Sequence, residues 1–407
     1  MGLIDNIKKM QGRDWRGLFM LVVSFLPGKI LKLFRRNIWV VSEYEMMARD
    51  NGYCFFKYMR ERHPEVDCYY PINKTSPDYV KIEKLGNQVD YASMKHYCLF
   101  WAAKVYCGSG SVQGFPYPRI CEKIVLHNLH GFKYVFLNHG ITRGYSYIVN
   151  ADSTNYDLLC TCSEVDKDII INENNQTDDI VKVTGYARHD NLDNKELDKK
   201  LIVIMPTWRG WLSYRNARNE EEKESIIQSF KESNYFTQYS SLLNNPEFIK
   251  LLEDNDLKVI FYLHQYAQVY SNFFTSSSEC IEIGKYDKYD VQSLLKSAVL
   301  LVTDYSSVCY DYAYMYKPVL YYQFDLEEFE SKQYAAGKSF SYDNDGLGDV
   351  SYTEESIINS IKTTLANRFE MSGKYRTRVD KYFKYHDNCN CERIYSAINS
   401  IMAKRSE

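Results

Sequence analysis

Short apolar runs recur through the chain, and several end in small or polar residues before a stretch with helical spacing. In the first half they fall at 38–42, 68–72, 105–108, 134–137, 157–161 and 180–183. In the second half they fall at 201–205, 257–263, 280–283, 299–302 and 319–323. Runs that stay apolar, without strict alternation, read as strands buried on both faces. Strands of that kind separated by helices pair in parallel, because each connection must cross over a face of the sheet. The spacing predicts helices over 45–62, broken at Asn51-Gly52, and over 93–104, with a charged helical insertion at 215–239 and helices through 353–405.

The polar stretch 190–200 interrupts this rhythm, and the pattern restarts after it. The reading is therefore α/β, with two Rossmann-like domains facing each other across a cleft and helices at the carboxyl end. The first domain is expected over 37–195 and the second over 196–407. A length of 407 residues and an apolar share of 45% suit two ordinary cores.

Residues 1–36 form a separate basic, amphipathic lead-in. Lys8, Lys9, Arg13, Arg16, Lys29, Lys32, Arg35 and Arg36 face only Asp5 and Asp14, beside an apolar side that includes Phe19, Val22, Leu26, Leu33 and Phe34. Such a segment suits either an anionic membrane surface or packing on the first domain with a solvated basic face. The run 18–26 is too short to span a bilayer. The net charge of −3 carries no nucleic-acid signature, so no nucleic-acid partner is expected. The 11 cysteines contain no Cys-x-x-Cys pair, which points to reduced thiols and no metal site.

Parallel α/β sheets place functional groups at the carboxyl ends of their strands. There the first domain offers Asn138, His139 and Gly140, with Arg188 at the junction. The second offers Pro206, Thr207, Arg209 and His264, and the loop Thr303-Asp304-Tyr305-Ser306-Ser307. Hydroxyls at a helix start together with arginine forks make a phosphate-binding inventory. Two histidines on opposite walls suit a proton acceptor and a charge stabiliser. Arg209 equally suits a carboxylate partner, and Asp304 a helix cap. His63, His96, His127, His130 and His386 have no comparable neighbourhood. No nucleophile elbow, Walker loop or dinucleotide glycine motif is present.

These residues resemble the CDP-glycerol glycerophosphotransferases, the teichoic acid primases and polymerases. The signature is Thr303-Asp-Tyr-Ser-Ser-Val-Cys-Tyr-Asp311 with Lys317-Pro318. Five further motifs match in order: Ala48-Arg-Asp-Asn-Gly52 with Phe55-Phe56-Lys57, Asn138-His139-Gly140, Thr184-Gly-Tyr-Ala-Arg188-His-Asp190, Pro206-Thr-Trp-Arg209 and Leu263-His264. The resemblance implies a GT-B fold and a transfer that needs no metal or cofactor. CDP-glycerol would give glycerol phosphate to a hydroxyl of a lipid-linked saccharide or polyol phosphate, and CMP would leave. His139 would be the base, and His264 would stabilise phosphate charge. Arg188, Arg209, Thr303, Asp304, Ser306 and Ser307 would bind the donor phosphates, with Asn138, Gly140, Pro206 and Thr207 nearby. The setting would be the cytoplasmic face of the membrane, against the inner leaflet. Asn138 stands where the family carries Gln, and Gln265 where Pro commonly follows the histidine. These departures leave CDP-ribitol open as the donor. A nucleotide-sugar glycosyltransferase and a non-catalytic assembly partner are the competing classes.

Overall fold

The computed structural model of the chain describes residues 12–110, 116–214, 217–333 and 340–403. Its contacts divide the chain into two units, residues 1–191 with 382–407, and residues 192–381. In the first unit the strands are β1 (Ile38–Ser42), β2 (Asp67–Ile72), β3 (Gln88–Asp90), β4 (Val105–Gly108), β5 (Lys133–Phe136), β6 (Leu158–Thr161) and β7 (Val181–Val183). They form one sheet in the order β3-β2-β1-β4-β5-β6-β7, and every pairing is parallel. β1 is buried along its whole length. Trp39 and Val41 pack into one core with Phe55 and Phe56, while Ile38 and Val40 pack into another with Phe100 and Tyr106. Both faces are thus covered, as the unbroken apolar run requires.

The second unit repeats the plan with β8 (Leu201–Ile204), β9 (Lys258–Tyr262), β10 (Ile281–Gly284), β11 (Leu300–Thr303), β12 (Val319–Tyr322) and β13 (Gly348–Ser351). Their order is β10-β9-β8-β11-β12-β13, again all parallel. In each unit the first strand lies at the centre and the chain winds outward in both directions. That is the Rossmann plan, with a switch point between β1 and β4 and another between β8 and β11.

Several expectations change. β3 and β13 were not expected, because Gln-Val-Asp and Gly-Asp-Val-Ser are short and polar. Gly348 lets β13 approach β12, since a Cβ there would sit 1.8 Å from the Val319 carbonyl oxygen. The helix expected over 45–62 begins at Asn51 rather than breaking there, and spans Asn51–Arg62. The insertion expected at 215–239 runs on beyond those bounds: it holds the helix Glu220–Lys231 and part of Asn234–Asn244, a further helix Pro246–Asp254 follows, and residues 215–216 lie outside the described ones.

The carboxyl-terminal residues were expected to complete the second domain. The helices Glu354–Ala366 and Gly373–Tyr382 do follow β13, but residues 382–407 belong to the first unit. In the helix Asn390–Ala403, Cys391, Ile394 and Ile398 are buried in the core that holds Trp39, Val41 and Ala187. The Asp190 carboxylate accepts the N–H groups of Asn390 and Cys391, each at 2.8 Å, which caps that helix.

At the amino end, helices Gly12–Val23 and Phe25–Phe34 meet at a bend of 46°. Among the described residues no single helix is long and apolar enough to cross a membrane. One side packs on the unit: Leu21 is buried, and the Trp101 indole donates to its carbonyl at 3.0 Å. The other side exposes Phe19, Val22, Leu26, Leu33 and Phe34. Lys8 and Lys9 lie outside the described residues.

If the last helix belongs to the first core, Ile394→Ala should cost about 2–5 kcal/mol. Hydrogen exchange would then accelerate in β1 and in the helix Asn51–Arg62, with β8 and β11 unaffected. Faster exchange confined to the second unit would contradict the assignment.

Candidate active site

The carboxyl end of β1 gives the first unit its polar centre. Glu43 follows β1 directly and is 2% exposed. Its carboxylate accepts the backbone N–H groups of Arg49 at 2.9 Å, Asp50 at 2.6 Å and Tyr53 at 2.8 Å. These bonds fold residues 43–50 back on themselves and start the next helix. Gly52 makes the turn possible, because a Cβ there would lie 2.5 Å from the Ser42 carbonyl oxygen.

Asp50 occupies the N-cap position in extended backbone, yet its side chain caps nothing. Its two oxygens reach out instead, Oδ2 to His139 Nδ1 at 2.6 Å and Oδ1 to the Arg188 guanidinium at 2.7 Å. The same guanidinium nitrogen donates to the His139 carbonyl at 2.8 Å. Asn51 clips two loops together, donating to the Asn138 carbonyl at 2.8 Å and accepting the Arg188 N–H at 3.0 Å. Asn138 is left-handed at φ 61°, and its side-chain oxygen accepts the His139 N–H at 2.7 Å. Its buried amide nitrogen has no hydrogen-bond partner.

The electrostatics follow from this packing. The Asp50 charge beside its ring raises the His139 pKa above its ordinary value. Burial alone would raise Asp50, but His139 and Arg188 together hold it low. Glu43 is pushed up to about 7, by burial first and then by the Asp50 charge. With Nδ1 committed to Asp50, Nε2 is the nitrogen left to exchange a proton, on a side chain that is 65% exposed.

In the second unit the picture differs from expectation. Of the two roles expected for Arg209, phosphate fork or carboxylate partner, the structure has the second: its side chain is wholly buried between two carboxylates. It meets Asp304 at 3.0 Å, and grips Asp325 at 2.8 and 3.0 Å while donating to the Thr207 carbonyl at 2.7 Å. Burial alone would favour loss of its proton, but Asp304 and Asp325 more than offset that and hold it charged. Asp304 also accepts the Thr207 N–H at 2.8 Å, and Thr303 spends its hydroxyl on the Met205 carbonyl at 2.6 Å. Arg209, Thr303 and Asp304 therefore brace the loops after β8, β11 and β12 rather than present themselves to a ligand. Pro206 and Thr207 belong to the same braced turn, and the Thr207 hydroxyl is buried without a partner.

Ser306 and Ser307 remain at the surface of that loop, half-buried and exposed respectively. The helix they lead into is short, Val308–Tyr314. His264, at the end of β9, is half-buried and accepts the Tyr266 N–H on Nδ1 at 3.2 Å. A neutral His264 must then carry its hydrogen on Nε2, so it acts as a donor. Its ring lies roughly parallel to that of Trp208, with centroids 6.1 Å apart.

The structure thus gathers Asn138, His139, Gly140 and Arg188 in one unit, and Pro206, Thr207, Arg209, Thr303 and Asp304 in the other. Arg188 was expected on the donor phosphates, but it sits in the first unit and holds Asp50 and the His139 loop. Sequence reasoning missed Glu43, Asp50, Asn51 and Asp325. Asp50 directly before Asn51-Gly52 is the type of residue that starts a helix, though the stretch was expected as a break, and Glu43 and Asp325 each stand just past a strand. Two of the other histidines pack inside the first unit. His96 is buried, bonded to the Pro116 carbonyl at 2.9 Å and lowered to about 4 by burial, and His63 stacks on Tyr395. Among the described residues no cluster of three or more His, Cys, Asp or Glu is placed to hold a metal.

Residues 14–400 match the family described as CDP-Glycerol:Poly(glycerophosphate) glycerophosphotransferase. The chain is 31% identical to the minor teichoic acid biosynthesis protein GgaB of Bacillus subtilis (strain 168), over 89% of this chain and 40% of that protein. It is 24% identical to the teichoic acid poly(glycerol phosphate) polymerase of the same organism, over 97% of this chain and 52% of that protein. It therefore spans about half, or less, of the length of these relatives. The solved wall teichoic acid polymerase TagF shares the fold, with a TM-score of 0.65 at 16% identity, covering 98% of this chain and 100% of that one.

A direct check of the first-unit geometry is the titration of the His139 imidazole by NMR. It should titrate above the ordinary value near 6.5. In Asp50→Asn the midpoint should fall, because the charge that favours the imidazolium is gone. An unchanged midpoint would separate the two groups electrostatically.

Proposed function

Because the chain belongs to the CDP-glycerol:poly(glycerophosphate) glycerophosphotransferase family, we propose that it transfers glycerol phosphate from CDP-glycerol to an acceptor hydroxyl and releases CMP. The acceptor is a lipid-linked saccharide or a polyol-phosphate chain, in the synthesis of a teichoic-acid-like or capsular polymer. The observation that carries the reading is the His139–Asp50 pair, an exposed imidazole whose Nδ1 is held by a mostly buried carboxylate at 2.6 Å. Such a pair suits general base catalysis. Nε2 takes the proton of the acceptor hydroxyl, and the oxygen attacks the phosphorus that bears the glycerol. The bond from that phosphorus to the bridging oxygen breaks, and CMP departs. Asp50 stabilises the imidazolium formed in the step.

The second unit supplies donors for the diphosphate. His264 offers Nε2–H, and Ser306 and Ser307 offer hydroxyls, on a loop whose other polar groups are already satisfied. Charge developing on the transferred phosphate is met by donors fixed in advance. No metal or cofactor takes part in this scheme.

We also propose that the protein works at the cytoplasmic face of the membrane. The amino-terminal helices leave Phe19 65%, Leu26 66%, Leu33 70% and Phe34 83% exposed, with Arg16, Lys29, Arg35 and Arg36 on the same two helices or just beyond them. An apolar face with basic flanks fits an anionic leaflet.

CMP release from CDP-glycerol and CDP-ribitol with lipid-linked acceptors tests the chemistry. His139→Ala should keep donor affinity and lose turnover by about 10²–10⁴-fold. His264→Ala and the double change Ser306→Ala with Ser307→Ala should weaken donor binding too, by roughly 1.5–3 kcal/mol for each bond lost. A folded His139→Ala protein with wild-type turnover would end the base assignment. For the membrane, flotation with anionic vesicles should carry the protein, and Phe19→Ser with Leu26→Ser and Leu33→Ser should abolish it. Equal flotation of both proteins would refute the surface.

A further inference from the structure

Glu43 takes no direct part in the chemistry above, yet it is the most enclosed acid of the first site. Its three contacts are all backbone N–H groups, from Arg49, Asp50 and Tyr53. They bracket Asp50 on both sides. Asp50 makes no capping bond of its own, so its backbone is held from behind by Glu43 while its side chain faces His139 and Arg188. The Asp50 carboxylate can serve two partners at 2.6 and 2.7 Å only while residues 49–53 keep this turn.

We propose that Glu43 is a positioning residue of the transfer reaction: its buried carboxylate sets the turn that aims Asp50 at His139. The inference rests on the reading of His139 as the base. Displacing a reacting group by about 1 Å is enough to cost on the order of 10²-fold in rate. The groups facing Glu43 and Asp50 are Cys54 and Tyr70, His139, and Arg188. Burial raises Cys54 to about 12 and holds Tyr70 well above its ordinary value. Of these groups, Glu43 is the one pushed up to about 7, and His139 is raised above its ordinary value.

The test uses the full chain, CDP-glycerol and a lipid-linked acceptor, with CMP release as the readout. Glu43→Gln keeps the shape but turns one acceptor oxygen into a donor amide. It should lower kcat roughly 10–100-fold with the donor KM within about twofold. The acid limb of the kcat/KM profile should move to lower pH, because a negative charge near His139 has been removed. Glu43→Asp keeps the charge but shortens the reach, so kcat should fall while the acid limb stays nearer that of wild type. A purely architectural Glu43 would instead lower activity in step with the folded fraction and leave the profile in place. If Glu43→Gln does not fold, Glu43→Asp decides the matter, and wild-type kcat in that variant overturns the inference. If His139→Ala is inactive while a folded Glu43→Gln matches wild type in kcat and pH profile, the base reading survives and this inference alone fails.

Discussion

The Asp50 carboxylate engages a histidine with one oxygen and an arginine with the other, both at hydrogen-bond distance. The first-unit site depends on that double contact. Arg188 compensates part of the Asp50 charge, so the carboxylate can stay ionised in a mostly buried position. What remains of the charge biases the His139 ring toward one tautomer and favours its protonated form. Without Arg188, burial would work against the carboxylate. Without Asp50, the ring would lose its orienting partner. Asn51 joins the same three loops through its amide, so the elements after β1, β5 and β7 move as one piece.

The second unit applies the same physics to a different end. Arg209 is enclosed by Asp304 and Asp325, with Tyr305 donating to Asp325 at 3.0 Å and Gln323 donating to the Asp304 carbonyl at 3.0 Å. A buried ion pair of this kind adds little net stability against a hydrophobic replacement, whereas removal of one partner is costly. Its use here is geometric. It ties three strand-end loops together at the carboxyl edge of the sheet, where no regular secondary structure can do so.

Most strands were legible because each is an apolar run with helical punctuation, and both sheets followed from that. β3 and β13 were not, because edge strands bury less and tolerate polar residues. The site was legible as a set of residue types but not as a set of partners. Asp50 lies 89 positions from His139 and 138 from Arg188, and Arg209 lies 116 from Asp325. Nothing local in the sequence says which buried acid will meet which base. An arginine in a motif looks the same whether it will hold a ligand or a neighbouring loop, and here both Arg188 and Arg209 hold loops. The final helix was misassigned for a related reason: its apolar face is visible, but the core it enters is set by the Asp190 cap and by Trp39 far upstream.

Under the proposed transfer, these contacts change how a phosphate would be recognised. A loop that offers hydroxyls to a highly charged ligand needs its own polar groups satisfied first, or it will turn inward to satisfy them. Thr303, Asp304 and Arg209 meet that need, and they leave Ser306 and Ser307 as the loop's outward polar groups. His264 follows the same logic, with Nδ1 occupied by the Tyr266 N–H so that Nε2 keeps its hydrogen. Donors fixed in this way need little reorganisation when charge develops on a transferred group, which is where preorganised polar sites derive their advantage over water. The buried arginine thus acts through the shape of a loop, by a route that a count of charged residues near a strand end would miss.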